Sequence, residues 1–230
     1  MQFRTALMGF ILLVILFVCC NPVWAVDIQL DGNFEDWQGK AFLSDPAYDS
    51  SPSGDILNFY WSTNGVNSDL YFMIERRGWG DYPDSLPTTY RLNLDINDNG
   101  VYHNGVDRYV LVTYSPFLKG LETVSVYKGN DQLVNIHSGF WGESGIAGGQ
   151  KCEFAISTQD LSNYPGQSMR MYLNSIYLIN DRVPNTGDIQ WSPIPILGTW
   201  WLAIVFFVVL IMATISIKRR KSIWFTGFYR

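Results

Sequence analysis

The chain has 230 residues, and 16 Lys and Arg against 21 Asp and Glu give it a formal net charge of −5. All 21 acidic residues lie between Asp27 and Asp188, a stretch that holds only ten basic residues and therefore has a net charge of −11. A domain this acidic repels the phosphates of nucleic acids, which excludes that class of partner, whereas cations and neutral polymers remain compatible with it.

The first 25 residues are typical of a secretory signal peptide. Arg4 precedes an uncharged run over residues 5–20, and Ala25 supplies a small residue at the predicted cleavage point. An uncleaved signal anchor and a lipid-modified cysteine near the end of the run are the alternatives. After cleavage only Cys152 remains, so no intrachain disulfide can form and the fold must be held by its own core.

Residues 26–192 are predicted to form one β-rich domain outside the membrane. From Tyr90 to Ile96, apolar residues alternate with polar ones, a period that is typical of a strand with one buried face. Turn clusters rich in Gly, Pro, Asn and Asp separate such stretches. Denser apolar runs, which predict central strands, lie at residues 56–61, 70–74, 109–114 and 169–179.

The spacing of these runs predicts an all-β fold, a single β-sandwich of about eight to ten strands. One helical turn is expected near residues 157–161. Trp37 and Trp61 lie in a strand-and-turn motif and in a dense strand, and we expect both to pack in the core.

Three motifs follow one another at a defined spacing. Residues 28–37 read IQLDGNFEDW, residues 55–75 contain two strands with the sequence DLYF in the second, and residues 151–191 contain CEFAI and DRVPNTG. In their order and spacing these motifs resemble the superfamily of family-9 carbohydrate-binding modules and DOMON-like domains. The resemblance covers nearly the whole outer domain and implies a jelly-roll-like β-sandwich that binds a ligand and is non-catalytic.

Sugar binding needs flat apolar rings and nearby polar groups. Trp79 and Trp141 are flanked by glycine in predicted loops, where an indole often marks a contact surface. Arg76 and Arg77 are close to Trp79 and are candidate hydrogen-bond donors to sugar hydroxyls. Packing of the two indoles on the sandwich edge, and solvated loop charges for the arginines, are the alternatives.

The segment Asp95-Ile96-Asn97-Asp98-Asn99-Gly100 predicts a structural Ca²⁺ site. Oxygen-bearing side chains at alternate positions, followed by glycine, suit a hard cation. The match to a helical Ca²⁺ loop is incomplete, because Val106 occupies the position of the late bidentate ligand and Asp107 lies next to it. We therefore predict Asp95, Asn97, Asn99 and Asp107 as metal ligands. An Asn- and Gly-rich turn without metal is the alternative.

Two further functions stay open. A haem-binding DOMON-like redox domain would need axial His or Met ligands, for which the candidates are His103, His137, Met73, Met169 and Met171. A structural surface protein without a small ligand is the other. The chain lacks the motifs of zinc proteases, serine hydrolases and phosphate-binding loops, so we predict no enzymatic activity.

Residues 193–217 are predicted to form one transmembrane helix, because residues 194–217 hold no charge over 24 positions. The basic cluster at 218–221 begins a tail, residues 218–230, that stays cytoplasmic. The domain is thus extracytoplasmic on a single-pass membrane protein, and its predicted partner is a carbohydrate or cell-envelope polymer. Residues 194–200, the span and the cluster also resemble bacterial sorting signals read by exosortase-type enzymes, although the tail continues to residue 230. A permanent anchor is favoured.

Overall fold

A computed structural model describes residues 26–64, 69–78, 87–115, 120–137, 140–142, 149–162, 167–193 and 208. The predicted signal peptide, the basic tail and, apart from residue 208, the uncharged run of the predicted span lie outside the described residues. Within the described part of the chain, no helix is long and apolar enough to cross a bilayer.

Among the described residues, twelve strands form two antiparallel sheets. The five-stranded sheet has the order β1-β2-β3-β9-β8, made of Ala41–Ser44, Ile56–Thr63, Leu70–Arg76, Lys151–Ile156 and Phe140–Gly142. The seven-stranded sheet has the order β11-β10-β4-β5-β6-β7, and β12 also pairs with β10. Its strands, in that order and ending with β12, are Arg182–Val183, Met169–Ile176, Thr88–Asp95, Arg108–Ser115, Gly120–Lys128, Leu133–His137 and Ile189–Trp191.

This architecture confirms the all-β prediction and refines its details. Three strands have only two or three residues, β8, β11 and β12, which is too short for an alternating pattern, so the count exceeds the predicted eight to ten. The predicted run 169–179 is a strand only as far as Ile176. The predicted helical turn is confirmed as α1, Thr158–Leu161, and the side chain of Ser157 caps it by accepting from the Gln159 amide.

The two sheets share one hydrophobic core. Tyr90, Leu92 and Leu94 are fully buried, as their alternation predicts, and they face the inner side of the five-stranded sheet. There the Phe72 ring stacks with Phe154 at a centroid distance of 5.4 Å. Cys152 is buried and free, so apolar burial, and no disulfide among the described residues, stabilises the sandwich.

The segment from Asp27 to Lys40 lies across the outer face of the five-stranded sheet. A short 3₁₀ turn, Glu35–Trp37, places the Trp37 indole in a second buried cluster with Ile28 and Met73. Trp37 is therefore buried as predicted, but outside the main core. Trp61 is half-buried and packs against the main core.

The loops separate into two ends of the sandwich. We call one end the connector end, because the chain continues there from β12 to the short segment before residue 194. Trp61, near the end of β2, and Trp191 of β12 line one depression at this end. The 96–107 loop lies at this same connector end, since Asp95 pairs with Arg170 at the start of β10. The loops 45–55 and 177–181 meet at the opposite end.

Candidate functional site

Arg76 and Arg77 lie at the end opposite the connector, in different environments. Arg76 is 1% exposed; its Nε donates to the Gly149 carbonyl at 2.9 Å. Its guanidinium also lies over the Tyr114 ring at 4.9 Å. Arg77 pairs with the buried Asp55 at 2.5 Å. Both arginines thus bind the protein itself.

The two predicted contact tryptophans differ in what the structure describes. Trp79 lies outside the described residues. The backbone of Trp141 belongs to β8 and pairs with Cys152 at the edge of the five-stranded sheet. The prediction of a loop at Trp141 is therefore wrong, because pairing with β9 satisfies its backbone there.

The predicted calcium loop is closed by its own side chains. Asp95 is buried and accepts hydrogen bonds from the amides of Asn99 at 3.1 Å and Gly100 at 2.6 Å. Asn97 and Asn99 are exposed. The loop therefore has the hydrogen bonding of the turn alternative, and the four predicted ligands are divided between interior and surface.

Asp107, at the end of this loop, has one carboxylate oxygen without a hydrogen-bond partner. It is fully buried and accepts from the Ile96 amide at 3.2 Å through Oδ1, while its buried Oδ2 has no hydrogen-bond partner. Burial, together with the nearby Asp95, raises the pKa of Asp107 above its ordinary value. A buried carboxylate oxygen without a partner is costly, and a cation beside it would remove that cost.

A second acidic group lies at the opposite end of the sandwich. The carboxylates of Asp45, Asp49 and Asp181 each place an oxygen within 4.8 Å of the others. Asp181 is held in place, because its Oδ2 accepts from the Ile56 amide at 2.7 Å. Burial and the charges of Asp181, Asp49 and Asp55 raise the pKa of Asp45 to about 7.

The Asp45 carboxyl makes stability depend on pH. Its pKa rises from 3.8 to about 7 on folding, so the folded state holds a proton that the unfolded state has released across that range. The contribution of this carboxyl to the free energy of unfolding is therefore fully present below pH 3.8 and is lost as the pH rises through about 7. We expect Asp45→Asn, which resembles the protonated form, to be more stable than wild type at pH 8 by about 2 kcal/mol after solvent screening.

Urea unfolding at about pH 5 and pH 8 checks this. The wild-type free energy of unfolding should fall between the two pH values, and that of Asp45→Asn should fall less. Asp27→Asn removes an exposed carboxylate elsewhere and serves as the matched control. Equal pH dependence in all three proteins would contradict the assignment.

An aromatic depression opens beside the N-terminal segment. Its volume is about 260 Å³. The Phe42 ring is 54% exposed and stacks on Tyr60 at a centroid distance of 5.1 Å and an interplanar angle of 22°. The lining residues are Phe34, Trp37, Gln38, Gly39, Lys40, Phe42, Tyr60, Met73 and Lys151.

A second depression adjoins it at the connector end. Its volume is about 350 Å³, and both sheets contribute an indole, Trp61 from β2 and Trp191 from β12. Both depressions share Gly39 and Lys40, and Gly39 takes a positive φ of 78° that suits glycine. Ser62, Thr63 and Ser192 add hydroxyls to the second depression.

Comparisons of this chain with protein-family models, with curated proteins and with solved structures find no match. The linings of the two depressions have the composition of small-ligand sites, which are mostly apolar and aromatic with a few polar groups. Rings that offer a flat face beside ammonium, amide and hydroxyl groups can stack on the C–H face of a pyranose and bond its hydroxyls.

The candidate haem ligands lie in separate places. Met169 and Met171 are fully buried in the main core. Met73 belongs to the second buried cluster. His103 is exposed in the 96–107 loop, whereas the Nε2 of His137 lies 2.5 Å from Asp160.

Sequence reasoning missed both the aromatic depressions and the second acidic group. Phe42 belongs to a strand of only four residues, and Asp45 and Asp49 lie in a stretch that predicts a turn. The DRVPNTG motif did contain Asp181. No local pattern shows that these residues meet, because they come from distant parts of the chain.

Proposed function

We propose that this chain is a membrane-anchored, extracytoplasmic binding module for a carbohydrate or cell-envelope polymer, and that it is non-catalytic. The observation that carries the proposal is the exposed Phe42 ring, stacked on Tyr60 in an open depression beside Lys40 and Gln38. Because about half of the ring is exposed to water, part of the free energy that its burial would contribute is not gained in the free protein. Contact with the apolar face of a sugar would bury this surface.

The neighbouring depression extends this surface. Trp61 and Trp191 add two indoles, and the shared Gly39–Lys40 segment lets one chain of sugar units contact both depressions. The motifs that resemble carbohydrate-binding modules support the same function and favour a jelly-roll-like arrangement of the sandwich. The uncharged run 194–217 and the basic cluster after it support a single C-terminal transmembrane helix.

Few residues of the chain separate the second depression from the predicted anchor. Trp191 lines the second depression, and the uncharged run begins only three positions later. With the domain outside and the tail in the cytoplasm, the polymer would lie near the membrane surface. Recovery of the full chain from the soluble fraction, with residues 1–25 still attached, would contradict this part of the proposal.

Ca²⁺ remains part of the proposal as a structural ion. The predicted loop offers the unpartnered Oδ2 of Asp107, and Asp45, Asp49 and Asp181 offer three clustered carboxylates. A cation that binds only the folded state raises the melting temperature. Melts of wild type and Asp45→Asn with Ca²⁺ and with chelator decide between the sites, and an unchanged midpoint removes the ion from the proposal.

Glycan-array binding followed by titration calorimetry of the full chain in detergent tests the ligand class. We expect Phe42→Ala and Phe42→Leu both to weaken oligosaccharide binding about tenfold, or about 1.4 kcal/mol. The leucine keeps apolar volume but lacks a flat ring, so equal losses identify ring stacking. Val101→Ala, an exposed apolar change in the 96–107 loop, is the control. Absence of binding to any glycan, or an oligosaccharide affinity of Phe42→Leu equal to that of wild type, would contradict the proposal.

A further inference from the structure

A row of polar side chains lies beside the exposed Phe42 ring, on the outer face of the five-stranded sheet. Side chains two positions apart on a strand share a face, so the residues two positions from Phe42 and Tyr60 lie on the same face as these rings. The strand register aligns four such residues across β1, β2, β3 and β9, which are Ser44, Asn58, Glu75 and Lys151. We call these four residues the polar row.

The polar row is open to solvent. Ser44 is exposed and Asn58 is half-buried, while the side chains of Glu75 and Lys151 are 22% and 37% exposed. Lys151 also lines the first depression together with Phe42. Because two positions along a strand span about 7 Å, a sugar that stacks on the Phe42 ring has its hydroxyls within reach of the row.

The hydrogen bonds within the polar row run toward Glu75. A carboxylate only accepts, so Asn58 turns its Nδ2 to Glu75 and donates to Oε2 at 2.9 Å. The Oδ1 of Asn58 therefore faces the other way and accepts from Ser44 Oγ at 2.7 Å. From the opposite side, Lys151 Nζ lies 3.5 Å from Glu75 Oε1. Burial and the Glu75 charge raise the pKa of Tyr60 above its ordinary value, so its hydroxyl stays protonated as a further donor beside Glu75.

This direction determines what the row offers to a ligand. The single hydroxyl proton of Ser44 is used within the row, so its oxygen presents only lone pairs to the outside. The Glu75 oxygens present further lone pairs, because each carboxylate oxygen accepts more than one hydrogen bond. Between them, Asn58 keeps a second N–H. A ligand must therefore donate at Ser44 and at Glu75 and accept at Asn58, and a hydroxyl group does both.

Ligand groups that only accept do not fit the polar row. A carboxylate, a sulfate or a methylated hydroxyl would meet the lone pairs of Ser44 and Glu75 without a proton to share. The two ammonium groups nearby are engaged, since Lys151 pairs with Glu75 and Lys40 donates to the Val26 carbonyl. The net charge of −11 over residues 27–188 also opposes a polyanion.

We propose that the first depression takes an uncharged hexose polysaccharide with free hydroxyl groups, and that Ser44 and Glu75 determine this specificity by accepting from its hydroxyls while Phe42 stacks on a sugar ring. This inference rests on the function proposed above and names the class of sugar that the same site binds. A site that hydrogen-bonds a ligand hydroxyl rejects an analogue without that proton, because its own polar groups are then left unpaired.

Calorimetric titration of the full chain, in a detergent without a sugar headgroup, tests this with cellohexaose, mannohexaose and galactohexaose. Each is used unmodified, fully O-methylated, and with its primary hydroxyls oxidised to carboxylates. At least one unmodified hexamer should bind. Its methylated and carboxylate forms should bind at least about tenfold more weakly, because neither donates where the row accepts.

Substitutions in the polar row separate specificity from folding. Ser44→Ala should weaken binding of the unmodified hexamer about fivefold and Glu75→Gln about tenfold, since hydrogen bonds to a charged group are the stronger ones. Ser44→Ala should also lower the ratio of unmodified to methylated affinity, which a purely structural role of Ser44 would not change. Asp131→Asn removes an exposed carboxylate between β6 and β7 of the other sheet and should leave both quantities unchanged.

One set of results overturns this inference and leaves the proposed function standing. It comprises binding of another class of glycan but of none of the three hexamers, equal affinity for the unmodified and methylated forms, and wild-type affinity of folded Ser44→Ala and Glu75→Gln while Phe42→Ala loses binding. Absence of binding to any glycan contradicts the inference and the proposed function together.

Discussion

Replacement of Glu153 by alanine is expected to lower the free energy of unfolding by about 3–4 kcal/mol. Glu153 is fully buried and holds the N-terminal segment on the five-stranded sheet. Its Oε2 accepts from the Trp37 indole at 2.9 Å, and its Oε1 accepts from the amides of Asp31 at 2.9 Å and Gly32 at 2.7 Å. Alanine leaves the buried Trp37 indole and two part-buried backbone amides without this acceptor.

Glu153→Gln keeps the size and shape of the side chain but replaces one acceptor oxygen by an NH2 donor. Wherever the amide nitrogen lies, it meets either the indole or the backbone amides, and all of these groups are donors. We expect an intermediate loss of about 1–2 kcal/mol. Glu75→Gln, on the neighbouring strand at a partly exposed carboxylate, should change stability by less than about 1 kcal/mol.

Urea unfolding followed by indole fluorescence measures these differences. Because the segment held by Glu153 also supplies Phe34, Trp37 and Lys40 to the first depression, Glu153→Ala should lose oligosaccharide affinity even at temperatures where it stays folded. Wild-type stability of Glu153→Ala would show that the segment is held mainly by its apolar contacts.

Replacement of Arg76 by alanine is expected to cost about 3–5 kcal/mol of folding free energy. The guanidinium fills interior space, donates to the Gly149 carbonyl, and also donates to the Ser53 carbonyl at 3.4 Å. Its loss leaves carbonyl oxygens without these donors and a cavity beside the Tyr114 ring. The sequence predicted a ligand-binding role for Arg76, so the variant separates a structural role from a contact role.

Arg76→Met distinguishes the two parts of this loss. Methionine fills most of the volume but cannot donate, so its stability measures the hydrogen bonds without the cavity. If Arg76 acts through the fold, both variants should melt at lower temperature in the absence of any ligand. Unchanged melting with a loss of binding would instead support the contact role.

The sequence predicts the sandwich because its strands carry local patterns. Tyr90, Leu92 and Leu94 alternate with polar residues and are buried as expected, and the helical turn expected near residues 157–161 is present. These features depend on neighbours along the chain, where a strand period or a capping residue is visible. Burial of Trp37 is predicted from its place in the motif IQLDGNFEDW and is confirmed.

The candidate sites depend on contacts that no local pattern encodes. Asp45 and Asp181 meet although 136 positions separate them, and Phe42 reaches Tyr60 through the register of two strands. Arg76 follows the apolar run 70–74 in the sequence, yet it is the last residue of β3 and is buried, with its guanidinium donating to the Gly149 and Ser53 carbonyls. The strand register and the connections between strands determine which of these distant residues come into contact.

The hold of Glu153 on the N-terminal segment has a consequence for biosynthesis. Asp31 precedes its acceptor by 122 positions, so at about 5–20 residues per second the ribosome delivers that acceptor about 6–24 s later. During this interval Ile28 and Trp37 can cover only the β2–β3 side of the sheet, where Met73 lies, and the Trp37 indole lacks its acceptor. The part of the molecule that is translated early is thus completed late, and nascent chains that stop before Lys151 cannot form the first depression.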